Sequence, residues 1–233
     1  MQTVADYFKR LSHGQLSNLS MGNDSPGTIR VEDRPRVIQN MNEALLRLYT
    51  RFTLKEGEVI LQLFNHITQY HLDKRFALHN KQRAAQHIPY IRDLPNEPYE
   101  NQALSILTVF DGFTELALNN SENPASLYTP FPTTLQVPYP AAGTMLGVQY
   151  RARHDELRGT LEQEVIVPAQ LEGAFLSFVG YLTYTQLNTQ EAQGIAAGHM
   201  ALYEAVCGEI EQGGSVATRG PTTLTKFDIR GWI

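Results

Sequence analysis

The sequence predicts an α+β fold: mainly a helical bundle, with an inserted small irregular β region and an extended C-terminal tail. Apolar residues recur at helical spacing near both ends of the chain, and short apolar runs broken by proline and asparagine fill the middle. Large apolar groups follow a glycine pair at the very end. The expected organisation is a helical domain from residues 1–64 and 160–213, a β-rich insertion over 65–159, and a tail over 214–233. A chain of 233 residues is long enough for one substantial core carrying a second module.

The opening ADYFKRL places Val4, Tyr7, Phe8 and Leu11 on one face of a short helix that should stop near Gly14. GNDSPG at 22–27 is a loop. VEDRPRVIQNMNEALLRLYTRF predicts the clearest helix of the first half. Asp33 stands as its cap, Pro35 suits its first turn, and Ile38, Met41, Leu45, Leu48 and Phe52 form its apolar stripe. Gln39, Asn42, Glu43 and Arg47 fall on the polar side. Phe52–Leu54 and Val59–Phe64 then read as a hairpin about LKEGEV, because Gly57 and the β-branched Thr53, Val59 and Ile60 favour extended backbone.

Short strands are expected at Ser105–Phe110, Thr114–Leu118, Thr134–Pro138 and Met145–Arg151, with prolines confining strands to edges or ends. After Pro168, Leu171, Phe175, Phe178 or Val179, and Leu182 share a broad helical face, while Ala174, Ser177 and Gly180 permit close approach of a neighbouring helix. Asn188 and Glu191 resemble a capping box for a last helix. Its stripe is Ile195, His199, Leu202, Val206 and Ile210, and Gly213-Gly214 ends it. The two last helices should pair as a hairpin, packed against the 33–50 helix.

The bulk composition limits the chemistry. Hydrophobic residues make up 42% and charged residues 18%, leaving uncharged surface for which a subunit interface is a natural use. A net charge of -5, from 19 Lys plus Arg against 24 Asp plus Glu, gives no long-range attraction to nucleic acid. A single cysteine, Cys207, rules out an intrachain disulfide and an all-cysteine zinc site. MQTVADYFKRL does not resemble a secretion signal, and no apolar run is long enough for a membrane span, so a soluble chain is expected.

No cofactor site and no catalytic site stand out. His66, His71, His79 and His87 are spaced by five, eight and eight residues, which does not stack ligands one helical turn apart. Cys207 sits in an apolar helical pattern and reads as a buried thiol, and Ser12-His13 lacks an oxyanion-hole motif. PAAGTMLG lacks the lysine and hydroxyl of a phosphate loop. Asp155, Glu156, Glu162 and Glu164 would suit acid catalysis, but a solvated loop provides such unpaired acids as well, and RARHDELR mixes Arg151, Arg153 and Arg158 with acids. The last of these fits a salt-bridged strand end or, alternatively, a local DNA-facing patch.

Several blocks together carry a resemblance. ADYFKRLSHGQLSNLS, VEDRPRVIQNMNEALLRLYTRFTLKEGEVIL, IVPAQLEGAFLSFVGYLTYTQLN, HMALYEAVCGEI and the terminal KFDIRGWI resemble the head-to-tail adaptor, or connector, family of short-tailed bacteriophages, including tail tubular protein A-like subunits. The resemblance implies a structural virion protein of the head–tail interface, assembled in the host cytoplasm, with no reaction to catalyse. It implies a homo-oligomeric ring, a dodecamer, between the portal protein and a tail or nozzle protein. Double-stranded DNA would pass through the ring without sequence-specific binding. Ala174, Ser177, Tyr181 and Tyr184 become candidate neighbour contacts, and Phe227, Ile229, Arg230, Trp232 and Ile233 candidate anchors in a portal cleft. Another neck or tail-tube component is the alternative, and an enzyme a more distant one.

Overall fold

A computed structural model of the chain describes residues 2–17, 29–81, 87–187 and 189–214. The loop expected at 22–27, the Asn188 cap and the whole candidate docking tail, Phe227, Ile229, Arg230, Trp232 and Ile233 included, lie outside the described residues. The fold is mixed α+β, with four α-helices and antiparallel sheets among the described residues. In chain order the elements are β1 (Gln2–Thr3), α1 (Val4–His13), α2 (Arg34–Arg51), β2 (Glu56–Gln62), β3 (Gln69–His71), β4 (Ile91–Arg92) and β5 (Ala103–Asp111). They continue with β6 (Thr114–Glu115), β7 (Tyr128–Phe131), β8 (Thr134–Gln136), β9 (Met145–Ala152), β10 (Glu164–Val165), α3 (Glu172–Thr185) and α4 (Gln190–Gly213). Two compact units result, one from the segments ending at Phe52 and resuming at His154, the other from Thr53–Arg153.

In the helical unit, α1 begins on a reciprocal cap: the Thr3 amide donates to Asp6 Oδ2 at 2.9 Å and the Asp6 amide to Thr3 Oγ1 at 3.3 Å. The Thr3 amide, together with the Thr3 hydroxyl donating to the same Oδ2 at 2.9 Å, holds the Asp6 carboxyl below its ordinary range. Val4, Tyr7, Phe8 and Leu11 are all buried, and Tyr7 meets Phe175 of α3 edge-on with ring centroids 5.0 Å apart. Arg10 Nη1 donates to Glu172 Oε2 at 2.8 Å, fixing the end of α1 to the start of α3.

Helix α2 carries Pro35 in its first turn as expected, but Asp33 makes no side-chain cap. Its backbone is already helical (φ -87, ψ -17), a conformation in which the carboxylate does not reach the first free amides. The buried face is Val37, Met41, Ala44, Leu45, Leu48 and Tyr49, with Asn40 among them. Asn40 Nδ2 donates to Thr183 Oγ1 of α3 at 2.9 Å, and Gln186 Nε2 donates to Asn40 Oδ1 at 3.1 Å, so the buried amide is satisfied. Asn42, expected on the wet side, instead clamps the 154–157 segment: its Oδ1 accepts from the Leu157 amide at 2.8 Å and its Nδ2 donates to the Leu157 carbonyl at 3.0 Å.

Helix α3 follows a 3-10 turn at Ala169–Leu171 rather than starting at Pro168. It is buried on nearly every side, from Ala174 through Val179 and again at Thr183 and Tyr184, which makes it the centre of the helical unit. Thr189, not Asn188, caps α4, its side chain accepting from the Ala192 amide at 3.2 Å. Gly214 ends α4 in the left-handed region (φ 61), as the glycine pair predicts.

The β unit holds a five-stranded antiparallel sheet of order β4-β2-β9-β5-β6 and a three-stranded one of order β3-β8-β7, around one apolar core. Register shifts interrupt the β5–β9 and β7–β8 pairings. The expected hairpin from 52 to 64 does not form: Phe52 caps α2, and β2 pairs with β9 in unbroken register from Glu56↔Arg151 to Gln62↔Met145. Residues 53–64 therefore belong to this unit and not to the helical one, and the boundary placed at 160 falls at Arg153. The remaining expected strands overlap β5, β6, β8 and β9, although β6 ends at Glu115, and Pro130 lies in β7 at a sheet edge.

Two devices hold the longer loops of the β unit. Tyr90 packs between Phe76 (4.6 Å, stacked) and Tyr70 (5.1 Å, edge-on), and its hydroxyl donates to the His71 carbonyl at 3.0 Å. Asp93 accepts from the amides of His79 and Tyr99, each at 3.0 Å, and these donors help keep its carboxyl below the ordinary range despite burial.

Candidate assembly surface

Helix α4 has two opposed faces of different chemistry. Ala192, Ala196, Tyr203, Cys207 and Ile210 point inward. At 100° per residue the opposite face carries Gly194, Ala197, Gly198, Ala201 and Ala205, all exposed, with Gly208 on the same side. Nothing lies within 4 Å of where a Cβ would stand at Gly194, Gly198 or Gly208. Each of these glycines costs the helix about 1 kcal/mol relative to alanine, and among the described residues no contact calls for a small residue there. Between Gly194 and Gly208 this face is built of glycine and alanine, which lets a second backbone approach closely, and Gln190 and Gln212 stand at its two ends.

The stripe expected on α4 is rotated from the buried one. Leu202 is 56% exposed, while Ile195, His199 and Val206 lie at the margin. The inward face is set by fit to α3: Phe178 meets Tyr203 at 4.8 Å, and Gly180 leaves room for the His199 ring. Burial pushes the pKa of His199 down, and its Nδ1 is buried without a hydrogen-bond partner. His199 is therefore neutral when folded, and stability is complete above the unfolded value near 6.5 and lost as pH falls below it. Thermal melts between pH 7.5 and 5 should show His199→Phe losing less stability on acidification than the parent chain.

On the side of α4 facing α2, a cleft of about 470 Å³ is lined by Leu46, Phe178, Tyr181, Leu182 and Met200, with Arg47 on its rim. Beyond it Arg51 binds α2 to α4, its Nε donating to Glu211 Oε1 at 2.8 Å and its Nη1 to Glu204 Oε2 at 2.6 Å. The guanidinium also lies 5.7 Å from the Tyr203 ring centroid, and the two carboxylates hold its pKa above the ordinary value. The Cys207 thiol, buried beside this group, is pushed up by burial and is a packed structural group.

Of the four residues expected as neighbour contacts, Ala174, Ser177 and Tyr184 are buried inside the helical unit, where they pack within their own chain. Tyr181 alone reaches the surface, in the wall of the cleft. The Gly/Ala face was legible in the spacing of Gly194, Gly198, Ala201, Ala205 and Gly208, a repeat that an apolar-stripe search passes over.

The histidines separate. His71 Nδ1 pairs with Thr134 Oγ1 at 2.9 Å, His79 Nδ1 with Asp93 at 3.1 Å, and His87 packs edge-on to Phe76 at 5.3 Å. No group of three or more His, Cys, Asp or Glu side chains among the described residues could hold a metal ion. Ser12 Oγ donates to the Lys9 carbonyl at 3.1 Å. In RARHDELR, Arg151 is half-buried in β9, whereas Arg153 and Arg158 are exposed. No helix among the described residues is long and apolar enough to cross a membrane. No protein-family model matches the chain, and neither does any curated protein.

Proposed function

We propose that this chain is a structural subunit that assembles side by side with copies of itself into a ring, as a head-to-tail adaptor between a phage portal and its tail. The observation that carries self-assembly is the exposed Gly/Ala face of α4. A surface helix gains nothing from repeated glycine unless another element packs against it. The neighbouring cleft, with Leu46 and Tyr181, supplies a second apolar surface on the same unit, and two different surfaces permit the head-to-tail contacts that close into rings.

The viral assignment is supported by four sequence blocks and the terminal KFDIRGWI. On this reading the helical bundle builds the ring, the β unit is its insertion, and Phe227, Ile229, Arg230, Trp232 and Ile233 anchor the subunit in the portal. A net charge of -5 suits a channel through which DNA slides without adhering.

Electron microscopy of the full chain, alone and mixed with purified portal rings, tests the proposal. Rings seated on the portal are expected from the parent chain. Ala201→Glu should keep its circular dichroism yet fail to form rings, and deletion of residues 224–233 should keep the fold yet lose portal attachment. Intact rings with Ala201→Glu would remove α4 from the interface. Tubes that stack without portal would favour a tail-tube component.

A further inference from the structure

Helix α4 presents different groups on its two flanks. Toward α2 it contributes Met200 to the cleft of about 470 Å³ whose other walls include Leu46, Phe178, Tyr181 and Leu182. At 100° per residue Leu202 stands about 160° round the helix from Met200. Leu202 is 56% exposed, and Ile195 and Val206 on the same flank are half-buried. One flank therefore offers an apolar hollow and the other an apolar ridge, with the Gly/Ala face between them.

The charges on the two flanks are opposite as well. Helix α4 carries Glu191, Glu204, Glu209 and Glu211 and no lysine or arginine. Arg51 of α2 takes up Glu204 and Glu211. Glu191 and Glu209 lie on the ridge side, exposed and without an ion pair among the described residues. Helix α2, which walls the cleft, carries four arginines against the single Glu43. Its Arg47 on the cleft rim is exposed and also has no ion pair among the described residues. Two copies meeting α4 to α4 about a two-fold axis would set glutamates against glutamates, and like charges across an interface suppress that pairing. The ridge of one copy set in the cleft of the next brings acidic α4 to arginine-rich α2 instead.

We propose that the cleft beside α2 receives the Leu202 ridge of a second copy of this chain. The contact is heterologous: ridge meets cleft, never ridge with ridge. Because the two surfaces stand on opposite flanks of one helix, each copy can hold a neighbour on either side, which is the arrangement that closes into a ring. The small residues between them let the neighbouring backbone lie close enough for Leu202 to enter. This inference rests on the self-assembly reading above and fixes which surface meets which; it does not depend on the phage assignment.

Mixing two full-length variants, with masses read by analytical ultracentrifugation, provides the test. Leu202→Asp spoils the ridge and leaves the cleft; Leu46→Asp does the reverse. Each alone is expected to associate at least tenfold more weakly than the parent chain, with unchanged circular dichroism because both positions are exposed. Mixed, the two should form a 1:1 dimer and nothing larger, since one intact ridge then meets one intact cleft. Leu202→Ala, which favours the helix, should also weaken association at least tenfold, so that loss of fold is not the cause. A mixture no more associated than either variant alone, or rings indifferent to Leu202→Ala, would overturn the ridge-in-cleft contact and leave self-assembly standing. A parent chain that stays monomeric would remove the self-assembly reading and this contact with it.

Discussion

Gly57→Val is expected to destabilise the β unit by about 1–3 kcal/mol, the range for overpacking a fitted core. Gly57 lies directly opposite Tyr150 across the β2–β9 pair, and a Cβ there would stand 2.6 Å from the ring carbon and hydroxyl at the tip of Tyr150. The ring is buried and meets Tyr99 edge-on at 6.0 Å, so room for a Cβ comes only by turning it out of that contact into the cavity of about 380 Å³ that both rings line. The aromatic ring instead covers the glycine backbone, replacing the side chain that the strand lacks. A double-mutant cycle checks the mechanism: Gly57→Val should cost markedly less in a Tyr150→Leu background. Equal cost in both backgrounds would mean that backbone preference, not the ring, selects glycine at this position.

Gly180→Leu is the second change with a large expected effect, and it acts on the helical unit. A Cβ at Gly180 would lie 3.1 Å from His199 Cδ2 and 3.2 Å from the Gln15 Cβ, so alanine alone is crowded and leucine cannot fit without separating α3 from α4. The expected loss is about 1–3 kcal/mol, read as a lower melting temperature and faster exchange of α4 amides. Protection of the Val59 and Leu61 amides in the β unit gives an internal reference. Pairing the change with His199→Ala should recover part of the loss, because it removes the closest obstruction.

Much of the helical unit was legible because a helix core face repeats locally. Val4, Tyr7, Phe8 and Leu11 were found from spacing alone, and so were the proline in the first turn of α2 and the glycine that ends α4. The failures share one cause. Phe52–Leu54 and Val59–Phe64 have the local pattern of a hairpin, yet β2 pairs with a strand more than eighty residues away, which no window of neighbouring residues contains. Leu202 was placed inside because it is large and apolar, although Ala192 and Ala196 set the true inward face. Close packing rewards fit over hydrophobicity.

For the candidate surface the division is similar. Small residues on α3 invited assignment to an interface, but Ala174 and Ser177 are small because α3 is surrounded by its own unit. The equally small face of α4 is exposed. Spacing reveals which residues share a face and says nothing of what that face meets.

By itself the sequence determined the core face of α1, the glycine that ends α4, and that the middle of the chain is extended; each depends on neighbours along the chain. Tertiary structure alone decided which face of α4 is buried and which strand completes β2. Those outcomes depend on groups brought together from distant parts of the chain, whose shapes must fit at once.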